Sequence, residues 1–385
     1  MQNGFFAVAC LLFLMTQCFA QPAPSQEKDA APTIEINAVR FSPDGKTLAT
    51  SATKTKNYAS VGREVALWNV ATGDVLHMMK SDAPNEMAVA IAFSPDGKIV
   101  ADLSIATQDN KMGDSKIALW EVSSGKLLRL LQIPQGEVVL SLAFSPDGKT
   151  LVGGSGNEKN QPQTQVNFWD AETGKSFRTF KGLQGCPCGL AFSSDGKQLA
   201  ASGWKLNGAE VLGAEVKIWD LASSQVKHIL TADKVVVEKI IFSPDGKILA
   251  TAGNKIEKDN GVGDGDVKLW DVETAALKYS LMEEERTPQY KRQNAEFLAF
   301  APNGKTLYGG GMTFDQKFGS EIWAWDAETG KLLRTFAQKQ INEIRGHALV
   351  ADLSPDGKVI AFANEIGEIQ IISSKDGSLI RSFQK

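Results

Sequence analysis

Phe93-Ser94-Pro95-Asp96-Gly97-Lys98 stands between two apolar runs, VAIAF at 89–93 and IVADL at 99–103. Proline presets φ in the turn, aspartate suits the next position, and glycine supplies the positive φ that lets a hairpin close. The stretch therefore predicts strand, tight turn, strand. The same hexapeptide pattern starts at Phe41, Phe144 and Phe242, and variants start at Phe192 (FSSDGK), Phe300 (FAPNGK) and Leu353 (LSPDGK). Successive starts lie 52, 51, 48, 50, 58 and 53 residues apart. One supersecondary unit is thus repeated seven times.

A second signature follows each turn. Trp-Asp occurs at 169–170, 219–220, 270–271 and 325–326, with Trp68-Asn69 and Trp120-Glu121 as near copies and Ile372-Ser373 in the seventh unit. Alternating stretches such as EVALW and DVKLW lead into it, the pattern of a half-buried strand. A polar turn (AETG, SSG) and a further strand (KLLRTF, SFRTF) complete the unit. Length alone would suggest two or three domains, but seven four-stranded units make a single closed ring.

On these residues the chain resembles the WD-repeat β-propellers over 34–384. The resemblance implies an all-β, seven-bladed β-propeller of four-stranded antiparallel blades, the first strand of each lining a central channel. Two departures stand out. The chain begins on a first strand (IEINAVRF, 34–41) and ends on a fourth (SLIRSFQ, 378–384), so the strand interlock that usually closes such rings is not expected. The Gly-His dipeptide of the family occurs only at Gly346-His347, so its usual Asp-His-Ser/Trp network is mostly missing.

The N-terminus reads differently. Residues 5–15, FFAVACLLFLM, are too short to span a bilayer, which takes about 20 apolar residues, and suit the core of an export signal ending at Cys18-Phe19-Ala20. MQNG supplies no Lys or Arg, and Gln17 before Cys18 argues against lipidation. The expected organisation is a signal peptide over 1–20, a Pro/Ala/Gln linker over 21–33 and a propeller over 34–385, exported to a periplasmic or extracellular space without stable membrane insertion. With 41 basic against 45 acidic residues the net charge is −4, which disfavours a phosphate-tracking nucleic-acid binder.

From turn Phe to Trp the first six units span 27, 27, 25, 27, 28 and 25 residues, whereas Leu353 to Ile372 spans 19. The extra length, at 51–64, 103–116, 153–165, 202–215, 252–266 and 309–321, predicts long loops. By the resemblance these rim the channel mouth, where binding usually resides. Counting four residues back from each turn Phe or Leu gives Asn37, Val89, Leu140, Cys188, Glu238, Glu296 and Leu349 as mouth-lining candidates. This mixed set suits recognition better than catalysis, although ordinary channel packing explains it too. Trp204, outside the repeated Trp positions, is the aromatic candidate for partner contact or, equally, a buried anchor; Trp323 also lies outside them.

Other candidates carry less. His77 and His228 align with Arg129, Arg178, Tyr279, Arg334 and Arg381, a surface position, and His347 holds the family's structural place. No HExxH or GxSxG motif occurs. Cys186-Pro187-Cys188 would place two sulfurs on one strand face, as a structural or strained disulfide, as packed thiols or as a redox pair. Asp259, Asp264 and Asp266 in DNGVGDGD lack EF-hand spacing, and Glu283–Arg286 reads as a solvated connection. The expectation is a non-catalytic scaffold with no cofactor or metal, binding a protein or an extracellular polymer at the mouth. The alternative is a metal- or ligand-dependent propeller enzyme in which Glu238, Glu296 and Asn37 converge.

Overall fold

The structure is a computed structural model describing residues 32–56, 59–108, 111–157, 163–185, 187–207, 210–256, 262–282, 295–313, 319–336, 350–363 and 367–384. Seven antiparallel sheets of four strands follow one another along the chain, each ordered first to fourth from the inside out. Among the described residues there is no helix. Innermost strands pack side by side, and that of the seventh blade (Val350–Leu353) meets that of the first (Thr33–Phe41), closing the ring.

The repeated turn explains why seven hairpins form alike. In six of them the serine hydroxyl donates to the aspartate two residues on, at 2.6–2.7 Å, as Ser42 does to Asp44 and Ser94 to Asp96. The same aspartate accepts the backbone N–H of the lysine at 3.0–3.1 Å. The serine hydroxyl and the lysine N–H hold these aspartates below the usual carboxyl range. In the sixth turn Ala301 replaces serine, and only the Lys305 N–H to Asn303 bond remains, at 2.9 Å.

Neighbouring turns also touch. Each turn glycine lies over the turn proline of the preceding blade, as Gly97 does over Pro43, and Gly45 over Pro355 carries this contact across the closure. The exception is Gly246, with open space around it, because the fourth turn carries Ser194 where the others carry proline. Ser194 instead donates its hydroxyl to Pro244 O at 2.8 Å.

The seventh blade is complete without a strand from the N-terminus, so side chains close the ring. Ile36, Val39, Phe41 and Trp68 of the first blade share a core with Ala361, Ala363, Ile369 and Ile371 of the seventh. Phe383 packs on Trp68, ring centroids 5.4 Å apart. The Phe41 N–H donates to Asp352 at 2.7 Å, and Arg381 donates to Thr72 O at 2.9 Å.

That last bond is one instance of a repeated clip. His77 meets Ser123 O at 3.0 Å, Arg178 donates to Leu221 O at 3.2 Å and Tyr279 to Glu328 O at 2.8 Å. Each reaches from an outermost strand to the outer turn of the next blade. In four blades the surface position shared by histidine, arginine and tyrosine is thus a blade-to-blade fastener. The aspartates of the Trp-Asp pairs serve the same outer turns: Asp170, Asp220, Asp271 and Asp326 each accept a hydroxyl and an N–H from the residue three further on.

Candidate functional site

The strands expected to break into long loops continue as paired hairpins. Thr47–Lys56 pairs with Ala59–Asn69 as far as Lys56 opposite Ala59, and Gln198–Asn207 pairs with Glu210–Asp220 as far as Asn207 opposite Glu210. The described parts of the six extra segments are therefore largely ladder-bonded and rise as ribbons on the face opposite the turns. Single residues stitch adjacent ribbons together. Asn85 donates its N–H to Ser60 O and accepts from Thr107 N, and Lys234 does the same between Leu212 O and Ile256 N. Both hold positive φ, 62° and 56°, a strain offset by two ladder-like bonds each.

Four of the mouth candidates share one structural feature. Asn37, Val89, Leu140 and Glu238 are each the extra residue of a β-bulge in an innermost strand, a device that re-aims a side chain at a rim. Glu296 lies just before the sixth innermost strand (Phe297–Phe300), its N–H donated to Gly310 O at 2.9 Å. Cys188 lies before the fourth (Leu190–Phe192), which has only three residues. The expected strand under Cys-Pro-Cys is absent, for Pro187 has no N–H to give a ladder. Its carbonyl instead accepts the Ser141 hydroxyl at 2.6 Å. Cys188 is disulfide-bonded; the other cysteines of the sequence, Cys186 among them, lie outside the described residues, as does Leu349.

The structure gathers part of this set. Val89, Leu140, Cys188 and Trp204 join Ile105, Met112, Val138, Val211 and Val236 in one apolar cluster spanning the second to fifth blades. Trp204 is its anchor, only 6 % exposed, with Gly185 beneath it so closely that a Cβ there would fall 2.5 Å from Trp204 Cβ. Trp204 pairs with Ala214 in the ladder of its hairpin, and the indole is packed within this cluster. Leu140 and Glu238 are buried as well, while Val89, Cys188, Asn37 and Glu296 are half-buried. Trp323 is buried against Trp325.

Polar groups take the other part of the mouth. Asn37 accepts the Thr53 hydroxyl at 2.6 Å, and Thr53 in turn accepts the Ala88 N–H at 3.0 Å. Asn37 is therefore engaged with its own hairpin and does not join Glu238. Glu238 accepts from Asn254 Nδ2 at 2.7 Å. Burial pushes the Glu238 carboxyl up to about 8, with Lys239 opposing and Glu296 adding to the rise. Burial likewise lowers the Lys239 ammonium, and Arg40 adds to that.

A buried network that the sequence did not announce lies beside the first two ribbons. Arg63 reaches both Glu86, at 3.1 Å, and Asp102, while Ser51 donates to Asp102 at 2.9 Å and Lys116 pairs with Glu86. Burial raises Asp102 despite Arg63. Burial also pushes Glu86 upward, but Lys116 and Ser81 overcome it and leave the carboxyl low. Each member has partners, the arrangement of a structural network. Among the described residues no group of three His, Cys, Asp or Glu could hold a metal ion. Of the aspartates considered for calcium, Asp266 pairs with Lys268, Asp264 belongs to the same strand (Val262–Asp271), and Asp259 lies outside the described residues, as do Glu283–Arg286 and His347.

These features define a seven-bladed propeller with one face of repeated turns and one of divergent ribbons. Comparison with known proteins agrees: the family model "WD domain, G-beta repeat" matches residues 125–159 and 224–271. The rice (japonica) protein "Guanine nucleotide-binding protein subunit beta" is 24 % identical over 82 % of this chain and 77 % of its own. The Arabidopsis thaliana protein "Cell division cycle 20.5, cofactor of APC complex" is 28 % identical over 79 % and 59 %, and "Periodic tryptophan protein 2" of the same plant 24 % over 64 % and 23 %. The match thus spans 59 % and 23 % of those two Arabidopsis relatives' length. Among solved structures, Kuenenia stuttgartiensis hydrazine synthase superposes with a TM-score of 0.67 at 17 % identity, covering 91 % of this chain and 99 % of that one, a likeness of fold alone. In its fold and in these partial matches the chain is similar to the WD-repeat β-propellers.

Proposed function

We propose that this protein is a non-catalytic scaffold, exported from the cytoplasm, that holds a protein or an extracellular polymer at its ribbon-bearing mouth. The observation that carries the proposal is the division of labour between faces. Turns repeat from blade to blade and outer clips recur in four of them, whereas the described mouth positions range over asparagine, valine, leucine, cysteine and, twice, glutamate, and long elements on a rigid frame are where binding resides. WD-repeat relatives are protein-binding scaffolds, two of them named as a cofactor of a complex and as a subunit. For an enzyme at this mouth Asn37, Glu238 and Glu296 would have to converge, yet Asn37 is held by Thr53 and Glu238 by Asn254.

Affinity capture of tagged 21–385 from its native extracytoplasmic medium tests the proposal. Shortening the ribbons is a poor control, since it would remove the Trp204 anchor. Charge reversal at the exposed rim residues Asp114 and Glu210 leaves the core intact. A partner held by the native chain and lost by the reversed one supports the mouth; one held equally by both overturns it. A mature N-terminus at Gln21 in protein recovered outside the cytoplasm supports export, and an intact Met1 in cytoplasmic protein refutes it.

A further inference from the structure

Glu238 and Asn254 form half of a familiar pair. Asn254 Nδ2 donates to Glu238 Oε1 at 2.7 Å. The two remaining oxygens, Glu238 Oε2 and Asn254 Oδ1, are both buried and have no hydrogen-bond partner. An ionised carboxylate and an amide oxygen are both acceptors only, so neither can satisfy the other. A carboxylic acid and a primary amide are complementary: the acid O–H donates to the amide oxygen while the amide N–H donates to the acid carbonyl. One proton on Oε2 would supply the missing donor and satisfy both orphaned atoms in a closed ring of two bonds.

We propose that Glu238 and Asn254 are an acid–amide latch, closed while Glu238 keeps its proton and released when that proton is lost. The elevated affinity of Glu238 for its proton, half-dissociation near about 8, agrees with the geometry. Charged groups facing Glu238 are Lys239, next on the same strand, and Glu296 from the sixth blade, with Arg40 of the first blade facing Lys239. Asp266, on the third strand of the same blade, is held by Lys268.

Position makes the latch more than local. Glu238 is the bulged residue between Val237 and Lys239 on the innermost strand, and Asn254 is on the second strand of that hairpin, opposite Val236. Val236 packs against the apolar cluster of Trp204, and Gly253 leaves room for its carbonyl, where a Cβ would collide. The latch therefore pins the fifth-blade edge of the mouth floor. When the proton leaves to water, one bond is lost and a buried anion appears opposite Glu296. Floor packing should loosen on the alkaline side.

The test needs no partner, so its failure is separate from failure of the scaffold proposal. Glu238→Gln keeps both bonds, amide to amide, and cannot titrate. Infrared difference spectra between about pH 6 and about pH 10, native minus Glu238→Gln, should show one protonated carboxyl band lost with a midpoint near about 8. The Asn254 side-chain amide resonance, followed in Asn-labelled protein, should move with the same midpoint and stay fixed in Glu238→Gln. Absence of that band at the acid end overturns the latch. So does an Asn254 resonance that titrates equally in both proteins.

Discussion

At the turn face, six blades close their hairpins with the same serine–aspartate–lysine bonds, and six of the seven glycines rest on a neighbour's proline. At the mouth, the equivalent bulge carries asparagine in the first blade, valine in the second, leucine in the third and glutamate in the fifth. Both faces come from the same strands and the same repeat. Where each copy must fit identical neighbours, one solution recurs; where no copy needs to match the next, residues are free to differ. The mouth nonetheless has its own packed floor, so divergence there is not looseness.

Trp204→Ala tests that floor most severely. The indole is buried against Gly185 and joins ribbon to innermost strands, so truncation should cost about 3–5 kcal/mol, seen as a lower denaturation midpoint in urea. A loss under about 1 kcal/mol, against that expectation for a filled core site, would return Trp204 to the surface and break the contrast.

At the turn face, Gly357→Ala and Gly246→Ala separate backbone from packing. Both glycines have φ near +71°, a conformation that costs an L-residue about 1–2 kcal/mol. A Cβ on Gly357 would also lie 2.6 Å from Pro302 Cδ, whereas one on Gly246 meets nothing within 4 Å. The seventh-blade change should therefore cost about 1–3 kcal/mol more. Equal losses would mean that turn-to-turn contacts contribute nothing to the ring.

Acid and base should strain opposite parts of the molecule. Turn aspartates such as Asp44 and Asp147 have lowered values, chiefly from the serine hydroxyl. Their stabilisation is present above the unfolded value of 3.8 and is lost as pH falls through the lowered folded value. Glu238 runs the other way: its folded value is raised, so stability declines as pH rises from 4.5 to about 8. Melting temperature across pH should fall at both ends, and Glu238→Gln should flatten only the upper limb. An upper limb unchanged by Glu238→Gln would detach that decline from the mouth.

The turn signature made the fold legible because it is local: a proline, an aspartate and a glycine specify a hairpin without help from elsewhere. Its spacing then placed seven blades and showed that the chain enters on a first strand and leaves on a fourth. The mouth positions were reachable in part, since counting back from the turns landed on a bulge in four blades, at Asn37, Val89, Leu140 and Glu238. The ribbons were not. Segments such as TKTK at 53–56 and KLN at 205–207 show no apolar alternation, and their pairing is set by the opposing strand. Trp204 could not be placed either, because the glycine that receives it belongs to the connection from the previous blade. The clip eluded sequence for a related reason: its acceptor is a backbone carbonyl, which no side chain reveals.

The smallest predicted effect repairs a clip. Five outer turns place glycine at a positive-φ position, but the fourth and fifth carry Ser224 and Ala275, with φ 61° at each. Where Gly125 occupies that position, His77 of the preceding blade lies against it and reaches Ser123 O at 3.0 Å. Opposite Ala275 the corresponding residue is His228, whose buried Nε2 has no hydrogen-bond partner. Removing the Ala275 methyl relieves the backbone, and by analogy with Gly125 and His77 should let His228 approach Glu273 O, the carbonyl equivalent to Ser123 O. Ala275→Gly should therefore stabilise by about 1 kcal/mol, against the usual loss when glycine replaces alanine. Ala275→Gly in a His228→Ala background should keep only the backbone share of the gain, so a double-mutant cycle measures the clip directly. Strict additivity would reduce the clip to bystander contact and leave the outer turns repeated for backbone reasons alone.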